Sequence, residues 1–315
     1  MKRRSLMLGT LAGAAMPVLP ARAQALPRVG VLVSGDPEPT WSMFREAMTD
    51  LGLVEGKTVL YAYRAADSAS GLLDTYAQEL VALKVDVIVA ILSPATAAAR
   101  RATRTIPIVF NGGAPITGEV TNVARPEGNI TGAFGPSSTL AGKGVQFLHQ
   151  IVPQMKAVGL LLNAADPFHV PLLRDIEPVI RAEGIEMVPL PLKTGDELPA
   201  AFDTMRARGV GGVMVQPSLG LRGVAELSLR HRLPSFSFRR EYAELGGLFS
   251  YGADQVEINV DVARLVDRLL KGAKPADLPV QQATKVGLVI NQKTARALDL
   301  TLPPLFVASA NEVLD

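Results

Sequence analysis

The second half of the chain repeats the first. Three stretches recur in the same order, each offset by about 127 residues. Val29–Pro37 (VGVLVSGDP) returns as Val158–Pro167 (VGLLLNAADP) with one insertion, Val85–Pro94 as Val210–Pro217, and Thr105–Phe110 as Arg232–Phe238. Each is a short apolar, β-branched run that ends in turn or cap residues, the pattern of a strand covered on both faces of a parallel sheet. Helical periodicity fills the intervals. Phe44, Ala47, Met48 and Leu51 share one face, as do Leu73, Tyr76, Ala77 and Leu80. Further helices are predicted from Thr139, after Thr194-Gly195-Asp196-Glu197, over Arg222–His231, from Asp254 to Leu270 and over Gln292–Leu298, and strands over Gly247–Tyr251 and Lys285–Ile290. Strands that alternate with helices predict an α/β protein, and two copies predict two doubly wound parallel-sheet lobes.

The stretch from Pro107 to Gly132 joins the copies. Ile106–Phe110 reads as a buried strand, Asn111-Gly112-Gly113 breaks it, Arg125–Asn129 is turn chemistry and Ile130-Thr131-Gly132 resumes an extended run. Ligands of open parallel sheets sit outside the carboxyl ends of the strands. The stretch therefore reads as one wall of a ligand cleft plus the first strand passing between lobes.

At 315 residues the chain can hold two domains, each with its own core. Residues 1–23 read as a cleaved export signal. Lys2-Arg3-Arg4 is a basic start, Leu6–Leu19 an apolar run too short to span a membrane, and Ala21-Arg22-Ala23 a small-x-small cleavage site. Arg3-Arg4-Ser5-Leu6 partly resembles a twin-arginine signal. Loss of Lys2, Arg3, Arg4 and Arg22 from the 32 basic side chains leaves them slightly outnumbered by the 30 acidic ones, so nothing suggests nucleic-acid binding. With no cysteine, disulfides, thiolate metal sites and a lipidated cysteine are excluded, and an exported, unanchored protein suits a periplasm. His149, His169 and His231 lack metal spacing, and neither a nucleotide loop nor a serine elbow occurs, so no cofactor or metal is expected.

The candidate ligand residues lie where strands end. Ser93-Pro94-Ala95-Thr96 follows a central strand as a helix start. Its free N–H groups, with the Ser93 and Thr96 hydroxyls, suit an anion; an ordinary cap is the alternative. Ser34 closes the first strand, and Asn111, Gly113 and Ala114 follow the fourth. Asn163, Asp166, Phe168 and Ser218 hold the matching positions in the second copy, where local turn bonds are the alternative. Trp41 and Tyr251 could lie against a ligand or pack in the core. Arg100, Arg101 and Arg104, with Arg239 and Arg240, read as a solvated surface or a transporter-docking face.

Longer stretches carry a family resemblance: LGLVEGKTVLYAYR (51–64), ELVALKVDVIVAILSPATAAARRATRTIPIVF (79–110), VARPEGNITG (123–132), RHRLPSFSFRREYAELGGLFSYGAD (230–254), RLLKGAKPADLPVQQATKVGLVINQKTARALDLTLPP (268–304) and ASANEVLD (308–315). The chain resembles the ABC transporter substrate-binding proteins related to tryptophan- and tyrosine-binding lipoproteins. The resemblance implies the type I periplasmic binding-protein fold, a Venus flytrap whose two lobes, joined by three crossing strands, close on a small ligand. It implies a periplasmic solute-binding role with an ABC permease as partner, no catalysis and a monomer. A ligand-sensing subunit, or an enzyme on the same fold, is the alternative. With the repeats, it places residues 28–133 plus 250–282 in one lobe and 134–249 plus 283–315 in the other. Relatives usually carry Gly-Asp-Pro where this chain has Gly113-Ala114-Pro115, which removes an acid that could hold a ligand amino group. The expected ligand is a small carboxylate-bearing molecule at the Ser93 helix start. A full amino acid is expected only if Asp36 or Asp166 supplies the missing acid.

Overall fold

The computed structural model describes residues 25–66 and 71–315, and the expected export signal lies outside them. In the first half, β1 (Arg28–Ser34), α1 (Thr40–Asp50), β2 (Leu60–Ala66), α2 (Leu72–Ala82), β3 (Val87–Ile91), α3 (Ser93–Ala102), β4 (Ile108–Asn111) and β5 (Ile130–Phe134) follow one another. The second half runs α4 (Ser137–Ile151), β6 (Ala157–Asn163), α5 (His169–Ala182), β7 (Glu186–Leu192), α6 (Leu198–Ala207), β8 (Gly212–Val215), α7 (Leu221–Arg230), β9 (Ser235–Ser237), α8 (Arg240–Glu244) and β10 (Phe249–Ala253). The chain ends with α9 (Gln255–Leu270), β11 (Gln281–Gln282), β12 (Val286–Asn291), α10 (Gln292–Ala297), α11 (Pro304–Ala308) and β13 (Glu312–Leu314).

The duplication is one of topology. The first sheet has the order β2-β1-β3-β4-β5-β11 and the second β7-β6-β8-β9-β10-β12-β13. All pairings are parallel except β10 with β12. Both sheets thus start from the doubly wound order 2-1-3-4-5, in which the crevice opens beside the first and third strands. The central strands are apolar because both faces are covered. Val29, Val31 and Val33 face α1 and α9, whereas Leu32, Ile88 and Ala90 face α2 and α3. In the second sheet Leu160 and Leu162 pack beneath α4 and α5, and Leu161 and Val213 beneath α6 and α7. The copies also share a close approach. A Cβ on Gly132 would strike the Phe110 carbonyl oxygen, and one on Gly252 the Phe238 carbonyl oxygen, so both positions need glycine.

Three segments cross between the sheets: β5 into α4, β10 into α9, and β11 into β12. They lie side by side, since Ala283 N donates to Phe134 O at 2.8 Å and Asp254 N to Lys285 O at 2.9 Å. The expectation that residues from 250 onward sit with the first sheet is corrected here. Ser250–Ala253 are the end of β10, pair with β9 and β12, and belong to the second sheet. The crossing falls at Asp254, whose side chain caps α9 by accepting from Val256 N and Glu257 N.

Candidate ligand-binding cleft

The carboxyl ends of the two sheets face each other across a cavity of about 70 Å³. The first lobe contributes Leu92 and Ser93 at the start of α3, Asn111 to Gly113 after β4, and Gln255 and Ile258 from α9. The second contributes Ser137 and Leu140 of α4, Asp166 and Phe168 before α5, Gln216 to Ser218 after β8, and Phe238 and Arg239 after β9. A wider groove of about 740 Å³, lined by Asp36, Asn163, Lys193 and Arg222, lies elsewhere between the lobes. The smaller cavity is the better candidate because two buried charged side chains open on it.

Asp166 is 3% exposed. Its Oδ1 accepts from Phe168 N at 2.9 Å, and its Oδ2 accepts from Gln216 Nε2 at 2.7 Å and Ser218 Oγ at 2.6 Å. Burial raises its pKa, and the hydrogen bonds from Ser218 and Phe168, the charge of nearby His169 and the bond from Gln216 oppose that rise. All three donors are neutral, and among the described residues the carboxylate forms no ion pair; the nearest cationic influence is the His169 ring, which contacts the Asp166 backbone carbonyl. Gln216 is oriented in turn, since its Oε1 accepts from Asn163 N at 3.0 Å.

Arg239 is 8% exposed, and its Nη1 donates to Gln255 Oε1. Among the described residues it forms no ion pair, although a guanidinium carries five donors and stays charged. The expectation that Arg239 lies on a solvated or docking surface is therefore corrected. Arg240 does lie outward, bridging Glu244 at 3.0 Å and Glu312. Arg100 pairs with Glu119 at 3.4 Å and Arg101 with Asp74 at 2.7 Å.

Of the sequence candidates, Ser93, Asn111, Gly113, Asp166, Phe168 and Ser218 come together at the cavity. The other six do not. Ser34 is wholly buried at the end of β1, and Ala114 is wholly buried in the first-lobe core, so neither lines the cavity. Thr96 turns back along its helix, and its Oγ1 donates to Leu92 O at 3.0 Å. Ser93 is the first residue of α3; the cap position is Leu92, at φ 70° and ψ 162°, and no side-chain cap bond forms there. Such angles are strained for a residue with a Cβ. Trp41 packs against Tyr61 and Tyr63, with ring centroids 5.1 and 5.0 Å apart, away from the cavity. Tyr251 packs edge-on against Phe147 at 5.2 Å. Asn163 braces the loops, accepting from Ala165 N at 2.9 Å and donating to Ser218 O at 3.3 Å.

Sequence reasoning passed over Gln216, Arg239 and Gln255. The repeat held a signal for the first two. It aligns Gln216-Pro217 with Ser93-Pro94, and Phe238-Arg239 with Phe110-Asn111. Gln255 carries no such mark.

The two lobes touch across the cleft. A Cβ on Gly113 would lie 2.9 Å from Phe168 Cδ2, so the ring of one lobe rests on the bare backbone of the other. The result is a cavity with a buried carboxylate, a buried guanidinium and an apolar lining from Leu140, Phe168, Phe238 and Ile258. Such a cavity can bind a molecule that carries both charges, because each meets a buried opposite charge that forms no ion pair within the protein among the described residues.

A family profile described as ABC transporter substrate binding protein matches residues 28–314. The tyrosine-binding protein of Clostridioides difficile is 23% identical over 264 residues, covering 82% of this chain and 75% of that one. Among solved structures, a conserved domain protein of Vibrio cholerae is 25% identical with a TM-score of 0.84, over 91% of this chain and 99% of that chain. A Streptococcus pneumonia ABC domain in complex with L-Trp is 23% identical with a TM-score of 0.83, over 92% of this chain and 100% of that chain. The profile spans both sheets and all three crossings, and the chain belongs to the ABC transporter substrate-binding protein family.

Proposed function

We propose that this substrate-binding protein captures an α-amino acid with an apolar side chain between its lobes and presents it to an ABC permease of the inner membrane. The observation that carries the reading is the pair of buried, unpaired charges on one cavity, Asp166 and Arg239. Asp166 takes the ligand ammonium and Arg239 the carboxylate. Ser93, the first residue of α3, stands on the opposite wall as a further donor. Leu140, Phe168, Phe238 and Ile258 supply apolar contact for the side chain. The Clostridioides difficile relative is named for tyrosine and the Streptococcus neighbour holds L-Trp, which supports the amino-acid class. The inference drawn from Ala114, that an ammonium group is not required, loses its footing because Ala114 points into the core.

In this reading one lobe comprises residues 28–133 plus 254–282 and the other 134–253 plus 283–315. The protein acts as a monomer in the periplasm after cleavage near Ala23. Among the described residues no helix is long and apolar enough to cross a membrane.

Calorimetry with L-valine, L-valinamide and isovalerate tests the ligand assignment, since the amide lacks the carboxylate charge and isovalerate the amino group. L-Valine should bind at least about tenfold more tightly than either, the ratio that about 1.4 kcal/mol supplies. Equal binding of isovalerate would remove the ammonium role of Asp166, and equal binding of valinamide the carboxylate role of Arg239.

A further inference from the structure

Arg239 raises a question of charge balance. A buried guanidinium is ordinarily paired with a carboxylate, because an uncompensated buried charge is costly. Here its one hydrogen-bond partner among the described residues is an amide, Gln255. Gln255 begins α9, where an acidic side chain is also favoured by the helix dipole. Glutamate has nearly the same shape and would gain from both effects, yet the position holds glutamine.

The amide is fixed in one orientation. Gln255 Nε2 donates to Ala253 O at 3.1 Å, which leaves Oε1 turned toward Arg239. Its main chain is braced as well: Asn259 Nδ2 donates to Gln255 O at 2.8 Å, and Asn259 Oδ1 accepts from Asn111 Nδ2 at 3.2 Å. A relay of uncharged amides thus runs from the end of β4, through the first turn of α9, to the guanidinium on the other lobe. It supplies geometry and no counter-charge.

We propose that Gln255 is a positioning residue that holds Arg239 without neutralising it, keeping the guanidinium charge available for a ligand carboxylate. The proposal rests on the carboxylate role assigned to Arg239 above. It makes the identity of residue 255 a determinant of selectivity: an amide there selects for acids, and an acid there would abolish the preference.

The test is a thermal and calorimetric cycle on the mature chain with Gln255→Glu, Arg239→Gln and the double variant, using L-valine and L-valinamide as probes. Gln255→Glu should raise the Tm of the ligand-free protein by about 2 °C or more. That gain should shrink in the Arg239→Gln background to what the helix dipole alone supplies, which separates the ion pair from the dipole benefit. The same variant should bind L-valine at least about tenfold more weakly, with the acid-to-amide preference falling toward one, a change that a merely structural role would not produce. A Tm gain of equal size without Arg239, or L-valine affinity and preference unchanged in Gln255→Glu, would overturn the proposal. If the wild-type chain binds neither probe, the valine-type ligand assignment falls, while the ligand-free Tm cycle still decides the role of Gln255.

Discussion

Asp166 and Arg239 are held differently, and the difference makes Asp166 the pH-sensitive one. Burial raises the Asp166 pKa, so the native ligand-free chain keeps that proton to a higher pH than the unfolded chain does. Its contribution to stability is therefore full below the unfolded carboxylate range and is lost as pH rises through the raised native value. Binding has the opposite sign, because an ammonium group needs the ionised carboxylate. L-Valine affinity should fall as pH drops through the same window, and binding there should release a proton. Calorimetry in two buffers of different ionisation enthalpy measures that release, which should disappear in Asp166→Asn. A proton count of zero in the wild-type chain from the unfolded carboxylate range up through the raised native value would remove the ammonium contact. At this scale the sequence was half legible. Residues at the ends of repeated strands were visible from their positions, and Ser93, Asp166 and Ser218 followed. Arg239 was not, because a sequence does not distinguish an arginine turned into a cleft from one turned to solvent; its neighbour Arg240 does the latter. Trp41 and Tyr251 misled for a related reason, since aromatic rings suit a ligand and a core equally.

The elements that matter most for closure are the three crossings. Glu257, in the first turn of α9, ties the third of them down. Its Oε2 accepts from Lys285 N at 2.8 Å and Thr284 N at 3.2 Å, and its Oε1 from Thr284 Oγ1 at 3.0 Å. The Lys285 amide leads in holding its carboxyl below the usual range, with the Thr284 bonds adding to it. Its stabilising effect is thus present above the unfolded carboxylate range and lost as pH falls through the lowered value. Glu257→Gln should loosen this segment locally, seen as faster hydrogen exchange at the Thr284 and Lys285 amides with β4 unchanged. Unchanged exchange at both amides would show that the crossing is held by its neighbours instead. The sequence at 254–257 reads as a capping box, and half of it forms: Asp254 caps the helix, whereas Glu257 reaches away to the crossing strand. Local patterns place helix starts to within a few residues, but a side-chain cap forms at Asp254 and Asn291 and not at Ser93. They cannot say when a distant backbone N–H competes for the same carboxylate. The strand order was legible for a different reason, as apolar runs in duplicate leave few ways to cover both faces of two parallel sheets.

At the scale of the whole molecule, both charged groups belong to the second lobe, and the first lobe supplies the lid. Asp166 and Arg239 follow β6 and β9, while Gly113, Ser93 and Gln255 approach from the first lobe. A ligand can thus dock on the second lobe of an open form, and closure brings Gly113 beneath the Phe168 ring and shuts water out. On the proposed reading, the lobes close around a centre built from two opposite charges. Calorimetry of Asp166→Asn and Arg239→Gln against L-valine, isovalerate and L-valinamide tests it most directly. Each variant should lose about 2–5 kcal/mol of L-valine affinity, the cost of breaking a buried charged hydrogen bond. Each should also become blind to one group only: Asp166→Asn should bind L-valine and isovalerate equally, and Arg239→Gln should bind L-valine and L-valinamide equally. Retention of the wild-type preference in either variant, with folding intact, would contradict the account.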